Sequence, residues 1–454
     1  MRVLFGASEI FPFAKTGGLA DVAYALPKAL SRHIEVASVM PMYSFMNRDD
    51  FFKEDFSFEI VLGSISYDIQ IYSTKEEKLK IYFIHAPLLS TSEDIYNDAN
   101  DDLRFGIFSK AIVELALHVK ADTLHLNDWH TALSALFIKE RELPIKTVFS
   151  IHNLAYQGIF DYSSLQRLGI DSRYFTMDFL EYYSKLNFMK AGIAFSDILT
   201  TVSPTYAKEI LTKRFGCGLE GFLNFHSDKL LGIFSGIDER LFDPANDKLI
   251  AQRYDSSSLE LKYINKKALL KEHSLKDPRR ALFVMISRLV QQKGFDLLIH
   301  SLKEMLKNHL NFILLVDGES HYKEPLEKFA KKYDNFTLLY GYDESLSHRI
   351  YAGGDFLLMP SLFEPCGLNQ MIAMRYGTIP IVHAVGGLID SVHEENKLCG
   401  MGIVFSAQTK KSFLDSIKRA LKLSKKERAD IITFNMECDF SFNSRAKEYL
   451  EVYN

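Results

Sequence analysis

The sequence predicts an α/β protein of two domains, each built on a parallel sheet. Three observations carry that expectation. First, 454 residues exceed what one hydrophobic core ordinarily supports. Second, an apolar run from Val3 to Ala7 is followed by the loop Lys15-Thr16-Gly17-Gly18. Leu19, Val22, Ala23, Leu26 and Leu30 then recur at spacings of three and four. A strand, a glycine loop and an amphipathic helix in that order make a βα unit. Third, the C-terminal half alternates short apolar runs with helical patterns, the signature of a parallel sheet.

The opening loop has chemistry as well as shape. Adjacent glycines let the backbone turn or approach a ligand closely. A helix start offers N–H groups and the positive end of a dipole, and Lys15 adds a full charge, which suits a phosphate. An ordinary βα turn with a surface lysine fits the same spacing. Neither the dinucleotide fingerprint nor a P-loop is present. Pro27 falls inside the helical pattern, so a kink or local end is expected there.

Composition narrows the class. Hydrophobic residues are 47% and charged residues 25%, an ordinary globular balance. A net charge of −4 gives no support for a nucleic-acid partner. Cys217, Cys366, Cys399 and Cys438 form no Cys-x-x-Cys pair, which argues against zinc or a disulfide framework and fits a reducing cytoplasm. The first strand, ended by Ser8-Glu9, is too short for a signal-peptide core, and no apolar run suits a membrane. There are 35 Phe, 22 Tyr and one Trp; most aromatics are expected in the core.

Glu35 to Met40 reads as the second strand. Residues 58–62, 65–72 and 79–84 read as an antiparallel meander attached to the main sheet. Tyr96 to Asp102 is a polar loop, and Arg104 to Val119 a helix. Thr123 to Asn127 is a strand running into Asp128-Trp129-His130, where Asp128 either serves a site or caps the next helix. Thr147 to Ile151 is a strand ending in His152-Asn153-Leu154-Ala155-Tyr156-Gln157-Gly158. An α/β sheet places ligands beyond the carboxyl ends of its strands. Two histidine-bearing strand ends on the same edge as the Lys15 loop therefore point toward a site. Ile198 to Pro204 is a further strand. Gly236 and Pro244 bracket a hinge, so the first domain is placed at 1–240 and the second at 241–439. Residues 440–454 form a helix that completes the first domain.

In the second domain, strands are expected at 281–287, 311–316, 336–340, 355–360, 378–382 and 402–405. Three strand-end loops carry chemistry. Arg288 and Lys293 put a forked guanidinium and an ammonium on one turn, suited to a diphosphate; two solvated surface cations are the plain alternative. Ser361 to Gln370 follows a strand and opens a helix. There, backbone N–H groups could hold phosphate and Glu364 could bind sugar or ribose hydroxyls, or simply be an acid favoured at a helix start. Gly386-Gly387-Leu388 echoes the opening loop.

Together these motifs resemble the bacterial and plant glycogen/starch synthases that use ADP-glucose. The markers are Lys15 to Asp21, Asp128-Trp129-His130, His152 to Gly158, Arg288 with Lys293, Phe363-Glu364-Pro365-Cys366-Gly367-Leu368 and Gly386-Gly387-Leu388. The resemblance implies the GT-B architecture, two Rossmann-like domains with parallel sheets facing a deep interdomain cleft. It implies transfer of glucose from ADP-glucose to the non-reducing end of an α-1,4-glucan, with retention. By that analogy Arg288 and Lys293 hold the diphosphate, Tyr342 lies against the adenine, and Leu368 and Asn369 donate backbone bonds. Glu364 contacts the transferred glucose, Lys15 and Gly18 approach the phosphates, and Asp128 and His152 bind near the sugar. The candidate catalytic set is His152, Glu364, Arg288, Lys293 and Asp128. The candidate substrate-binding set adds Lys15, Gly17, Gly18, Tyr96, Asn153, Ser235, Tyr342, Cys366, Gly367, Leu368 and Asn369.

No cofactor is expected, and no acidic cluster resembles a magnesium site. Oligomeric state is left open. Two positions depart from the family pattern: Ser235 stands where Asn is general, and Asn369 where Thr is common. A UDP-glucose-dependent or other retaining GT-B glucosyltransferase is the nearest rival reading. A sugar-nucleotide or glucan-binding protein with weak catalysis is the other.

Overall fold

The computed structural model describes residues 1–454 apart from 92–93, 276, 319, 342 and 396–399. Two compact units emerge: Met1–Ser235 with Phe442–Asn454, and Gly236–Ser441.

The first unit carries strands β1 (Arg2–Gly6), β2 (Glu35–Pro41), β3 (Phe52–Leu62), β4 (Ile65–Glu76), β5 (Leu79–His85), β6 (Thr123–Asn127) and β7 (Lys146–Ile151). After them come β8 (Ile159–Phe160), β9 (Glu181–Tyr182), β10 (Lys185–Asn187), β11 (Ile198–Thr201) and β12 (Leu230–Gly232). Among the described residues, nine of these form one sheet in the order β12-β11-β7-β6-β1-β2-β5-β4-β3. The pairs from β12 to β5 are parallel, and β3-β4-β5 is the antiparallel meander expected from its alternating pattern. A second sheet, β8-β10-β9, is one the sequence did not suggest. Its strands are two or three residues long, too short for a period-2 pattern to register.

Helix Gly18–Leu30 runs one turn beyond Pro27, and Ser31 N–H closes on Pro27 O at 2.8 Å. Its Leu19, Val22, Ala23, Leu26 and Leu30 are buried in the same apolar cluster as Phe442, Ala446, Tyr449, Val452 and Tyr453 of the C-terminal helix Phe442–Tyr453. That helix is also tied by polar contacts. Lys146 Nζ donates to Val452 O at 2.9 Å and Tyr453 O at 3.1 Å, and Tyr453 hydroxyl meets His125 Nδ1 at 2.6 Å.

The second unit carries β13 (Ala281–Arg288), β14 (Leu310–Asp317), β15 (Phe336–Tyr340), β16 (Phe356–Met359), β17 (Ile379–His383) and β18 (Ile403–Phe405). They pair in parallel in the order β15-β14-β13-β16-β17-β18. Each strand expected from the apolar runs is present, its ends within one residue of those expected. Phe283, Phe312, Leu314, Phe356 and Ile381 fill the core under the flanking helices. Among the described residues no helix is long and apolar enough to cross a membrane.

Candidate active site

In the first unit β7, β6 and β1 are neighbours, so the residues that follow them lie along one sheet edge. Asn127 ends β6 and joins its neighbours. Its Nδ2 donates to Gly6 O at 2.9 Å, and its Oδ1 faces His152 Nε2 at 2.8 Å. Because that amide oxygen only accepts, Nε2 carries the imidazole proton.

Asp128 comes next, with φ of 54°, a left-handed conformation that Asp tolerates better than most residues. It does not cap the following helix, Leu133–Glu140, whose N-cap is Ala132. Instead its Oδ1 accepts the backbone N–H of His152 at 2.8 Å and of Asn153 at 3.5 Å. The carboxylate shapes the turn that carries the second histidine. Burial pushes the Asp128 carboxyl up to about 7 against those two amides, and burial pulls His152 down to about 4. His152 is therefore a neutral, tautomer-fixed ring at pH 7. Gly158 closes the same loop with φ of +64°, and a Cβ there would lie 2.4 Å from the Trp129 ring.

Lys15 Nζ pairs with Asp21 Oδ1 at 2.7 Å. The amides of Thr16 and Gly17, just ahead of the helix, donate to the Glu9 carboxylate, with Gly17 N–H at 3.3 Å. Tyr96 hydroxyl donates to the same carboxylate at 2.9 Å. Glu9 is a residue that sequence reasoning passed over. Its signal was an acidic side chain directly after a buried strand, in a segment where nothing else is charged until Lys15.

Deeper in the sheet, His125 bridges Tyr453 hydroxyl and Ser150 Oγ, the latter at 2.7 Å. Burial lowers its pKa to about 3, with the nearby His152 adding to the effect. Its folded value lies below the ordinary 6.5, so the unfolded chain takes up the proton first on acidification. The stabilisation is full above about pH 6.5 and is lost as pH falls toward 3. We expect His125→Asn to flatten the dependence of the thermal midpoint on pH between about 4 and 6.5 relative to the parent. Equal slopes in the two proteins would refute this.

In the second unit β13, β16 and β17 are adjacent, and their three following loops interlock. Arg288 ends β13, and Lys293 closes the turn Gln291–Lys293. Gly294 has φ of +78° and sits so tightly on the next loop that a Cβ would lie 1.9 Å from Pro360 O. Leu362 N–H donates to Gln292 O at 2.8 Å, and Gln292 Nε2 donates to Phe363 O at 3.2 Å. Those bonds bring Lys293 Nζ to Glu364, 2.9 Å from Oε1 and 2.7 Å from Oε2. Ser361 Oγ adds a third donor at 3.0 Å, and Glu364 is 5% exposed.

Glu364 is thus the partner of Lys293, five residues before helix Asn369–Arg375 rather than at its start. The third loop supports the second. Gly387 N–H donates to Glu364 O at 3.0 Å and Pro365 O at 3.1 Å, and a Cβ on Gly387 would lie 2.4 Å from Cys366 O. Both Gly-Gly-Leu segments stand at a helix start, Gly18–Leu30 in the first unit and Gly386–Ser391 in the second. Gly367 has φ of +71° and precedes Leu368, the N-cap of the short helix. Asn369 Nδ2 donates to Ile286 O at 2.8 Å, tying that helix to β13 just before Arg288. Buried Cys366 accepts through its carbonyl from Gln370 Nε2 at 3.1 Å.

Two candidates stand apart from these clusters. Ser235 is the last residue of the first unit; its N–H donates to Val202 O at 3.3 Å, and its hydroxyl has no hydrogen-bond partner among the described residues. Tyr342 lies outside the described residues. Among the described residues no group of His, Cys, Asp or Glu is arranged to hold a metal ion.

Residues 2–225 match the family model of the starch synthase catalytic domain, and residues 266–435 that of glycosyl transferases group 1. The catalytic domain of starch synthase IV from Arabidopsis thaliana, solved bound to ADP and acarbose, superposes with a TM-score of 0.92. It is 35% identical, over 99% of this chain and 98% of its own. Sucrose-phosphate synthase from Thermosynechococcus elongatus shares the fold, with a TM-score of 0.67 at 15% identity over 100% of this chain and 98% of its own. Two units with parallel sheets and strand-end loops, in this company, define a glycosyltransferase of the GT-B class. Glycogen synthase of Aquifex aeolicus is 42% identical over 100% of this chain and 98% of that protein. That of Clostridium novyi is 38% identical over 100% and 99%. The chain belongs to the glycogen synthase family.

Proposed function

We propose that the protein transfers glucose from ADP-glucose to the non-reducing 4-hydroxyl of an α-1,4-glucan, with retention, in the cytoplasm. The observation that carries this reading is the Lys293–Glu364 pair, its carboxylate buried, in the loops that follow β13 and β16. It puts a fixed cation beside a carboxylate able to accept from sugar hydroxyls. Arg288 and Lys293 are assigned to the diphosphate, Glu364 to the transferred glucose, and the amides of Leu368 and Asn369 to the phosphates. Tyr342 is assigned to the adenine. In the first unit, Lys15 and Gly18 are assigned to the phosphates, and Asp128 and His152 to the sugar.

The chemistry follows from the leaving group. As the bond from the anomeric carbon to the diphosphate oxygen breaks, negative charge grows on that oxygen, and prearranged cations and N–H dipoles stabilise it. The acceptor hydroxyl forms the new bond on the same face, and its proton passes to the departing phosphate. The paired-carboxylate arrangement of retaining hydrolases is not needed for this course.

Initial rates with ADP-glucose and with UDP-glucose, read as labelled glucan on glycogen, test the proposal. A higher rate with ADP-glucose is expected. Preference for UDP-glucose would remove the ADP assignment, and no incorporation from either donor would leave a binding protein. Activity is also expected to persist in a chelator, because side-chain cations meet the charge of the leaving group. Full loss on chelation, restored by magnesium, would contradict that.

A further inference from the structure

Glu9 follows β1 and is 3% exposed. Its carboxylate is surrounded by donors: the N–H of Thr16, the hydroxyl of Thr16 at 3.0 and 3.2 Å, the N–H of Gly17 at 3.3 Å and the phenol of Tyr96 at 2.9 Å. A protonated carboxyl would bring a further donor into this set, whereas a carboxylate accepts from all of it. Burial opposes the charge and pushes the Glu9 carboxyl up, while these same hydrogen bonds hold it down. Among the described residues no lysine or arginine is ion-paired with Glu9. The compensating field comes from the amides themselves and from the positive end of helix Gly18–Leu30.

The anion at this helix start is therefore part of the chain. It holds the loop from one side only. Gly17 is extended, with φ of −159°, and a Cβ on it would meet nothing within 4 Å. Lys15 is steadied separately by Asp21. The loop is tethered through its amides and open on its glycine face. Tyr96 adds a tether from a different segment, ahead of helix Asp101–His118, and its hydroxyl also meets Ser8 Oγ at 2.8 Å.

We propose that Glu9 is a positioning residue. By binding Thr16 and Gly17 it holds the Lys15-Thr16-Gly17-Gly18 loop in the conformation that receives the donor's phosphates. The donor part of this inference rests on the function proposed above; the clamp itself does not. A loop ordered in advance loses less conformational freedom when ligand binds, so loss of the clamp weakens donor binding.

Two measurements test it on the full-length protein. Hydrogen exchange over residues 10–19 is expected to be slow in the parent and about tenfold faster or more in Glu9→Ala, the scale of a lost hydrogen bond to a charged group. Steady-state kinetics with ADP-glucose and glycogen are expected to show a donor KM raised about tenfold, with the glycogen KM within roughly twofold of the parent. A merely structural defect would lower kcat through the inactive fraction and leave the donor KM alone. Glu9→Gln retains one acceptor oxygen and should restore part of both effects. Thr16→Val, which removes only the hydroxyl contacts, gives a second variant if Glu9→Ala does not fold. Unchanged exchange in the Glu9 variants overturns the clamp. Faster exchange with an unchanged donor KM overturns the positioning role. A parent protein inactive with ADP-glucose overturns the function and the donor half of this inference, while the exchange data still decide the clamp.

Discussion

Lys293→Ala is expected to lower kcat by roughly 10²–10³-fold, the usual effect of removing one prearranged charge from a developing anion. The structure adds a second consequence. Lys293 holds both oxygens of Glu364, and the alanine variant leaves that buried carboxylate with Ser361 Oγ. Breaking one side of a buried pair costs about 3–5 kcal/mol at full burial. Lys293 is one-fifth exposed, so solvent screening places the expected loss well below that range. A fall in turnover could thus be confused with partial unfolding. Lys293→Met combined with Glu364→Gln separates the two, because the neutral pair leaves no orphaned charge. The double variant is expected to recover thermal stability and to remain as inactive as Lys293→Ala. Recovery of turnover in the double variant, or parental turnover in Lys293→Ala at saturating donor, would remove Lys293 from the mechanism.

Asp128→Ala comes second in expected effect. Had Asp128 been a helix cap, its loss would cost about 1 kcal/mol and leave turnover alone. Its Oδ1 instead accepts the N–H groups of His152 and Asn153. Leaving buried amides without an acceptor costs about 1–3 kcal/mol each, and a small displacement of a positioned side chain can cost about 10²-fold in rate. Asp128→Ala is therefore expected to lose about 10²-fold in kcat, with little further loss when His152→Ala is added. Additive losses would show that the two act separately.

Asp128→Asn gives the pH test. The folded carboxyl titrates near 7, above its ordinary 3.8, so the folded state takes up the proton first. Stability contributed by this group is present below about pH 4 and is lost as pH rises toward 7. The asparagine, which resembles the protonated acid, is expected to remove that decline. Thermal midpoints of parent and variant at pH 5 and pH 8 should diverge, with the variant favoured at the higher value. A constant difference would contradict the assignment.

The candidate residues differ in how far the chain alone revealed them. Lys15, Asp128, His152, Arg288, Lys293 and Glu364 could be picked out as candidates because each lies in a loop that follows an apolar run, and each parallel sheet sends such loops to one of its edges. Their partners could not. Nothing in residues 361–364 says that Glu364 meets Lys293, because the contact depends on Gly294 packing against Pro360 and on Gln292 bonding across to Leu362 and Phe363. The cap reading of Asp128 failed for the same reason. Local spacing shows a helix to follow, but only the neighbouring strand β7 brings the His152 and Asn153 amides within reach.

By itself, the sequence determined the α/β class, the main parallel strands and the antiparallel meander. Those features are written in apolar periodicity, which each segment carries locally. Only the tertiary structure decided which partner meets each charge: the Thr16 and Gly17 amides at Glu9, Asp21 at Lys15, Glu364 at Lys293. Such pairings depend on distances of a few ångströms between segments far apart in the chain or folded back by a turn. Coulomb and hydrogen-bond energies are set by those distances and by burial, neither of which a linear pattern contains.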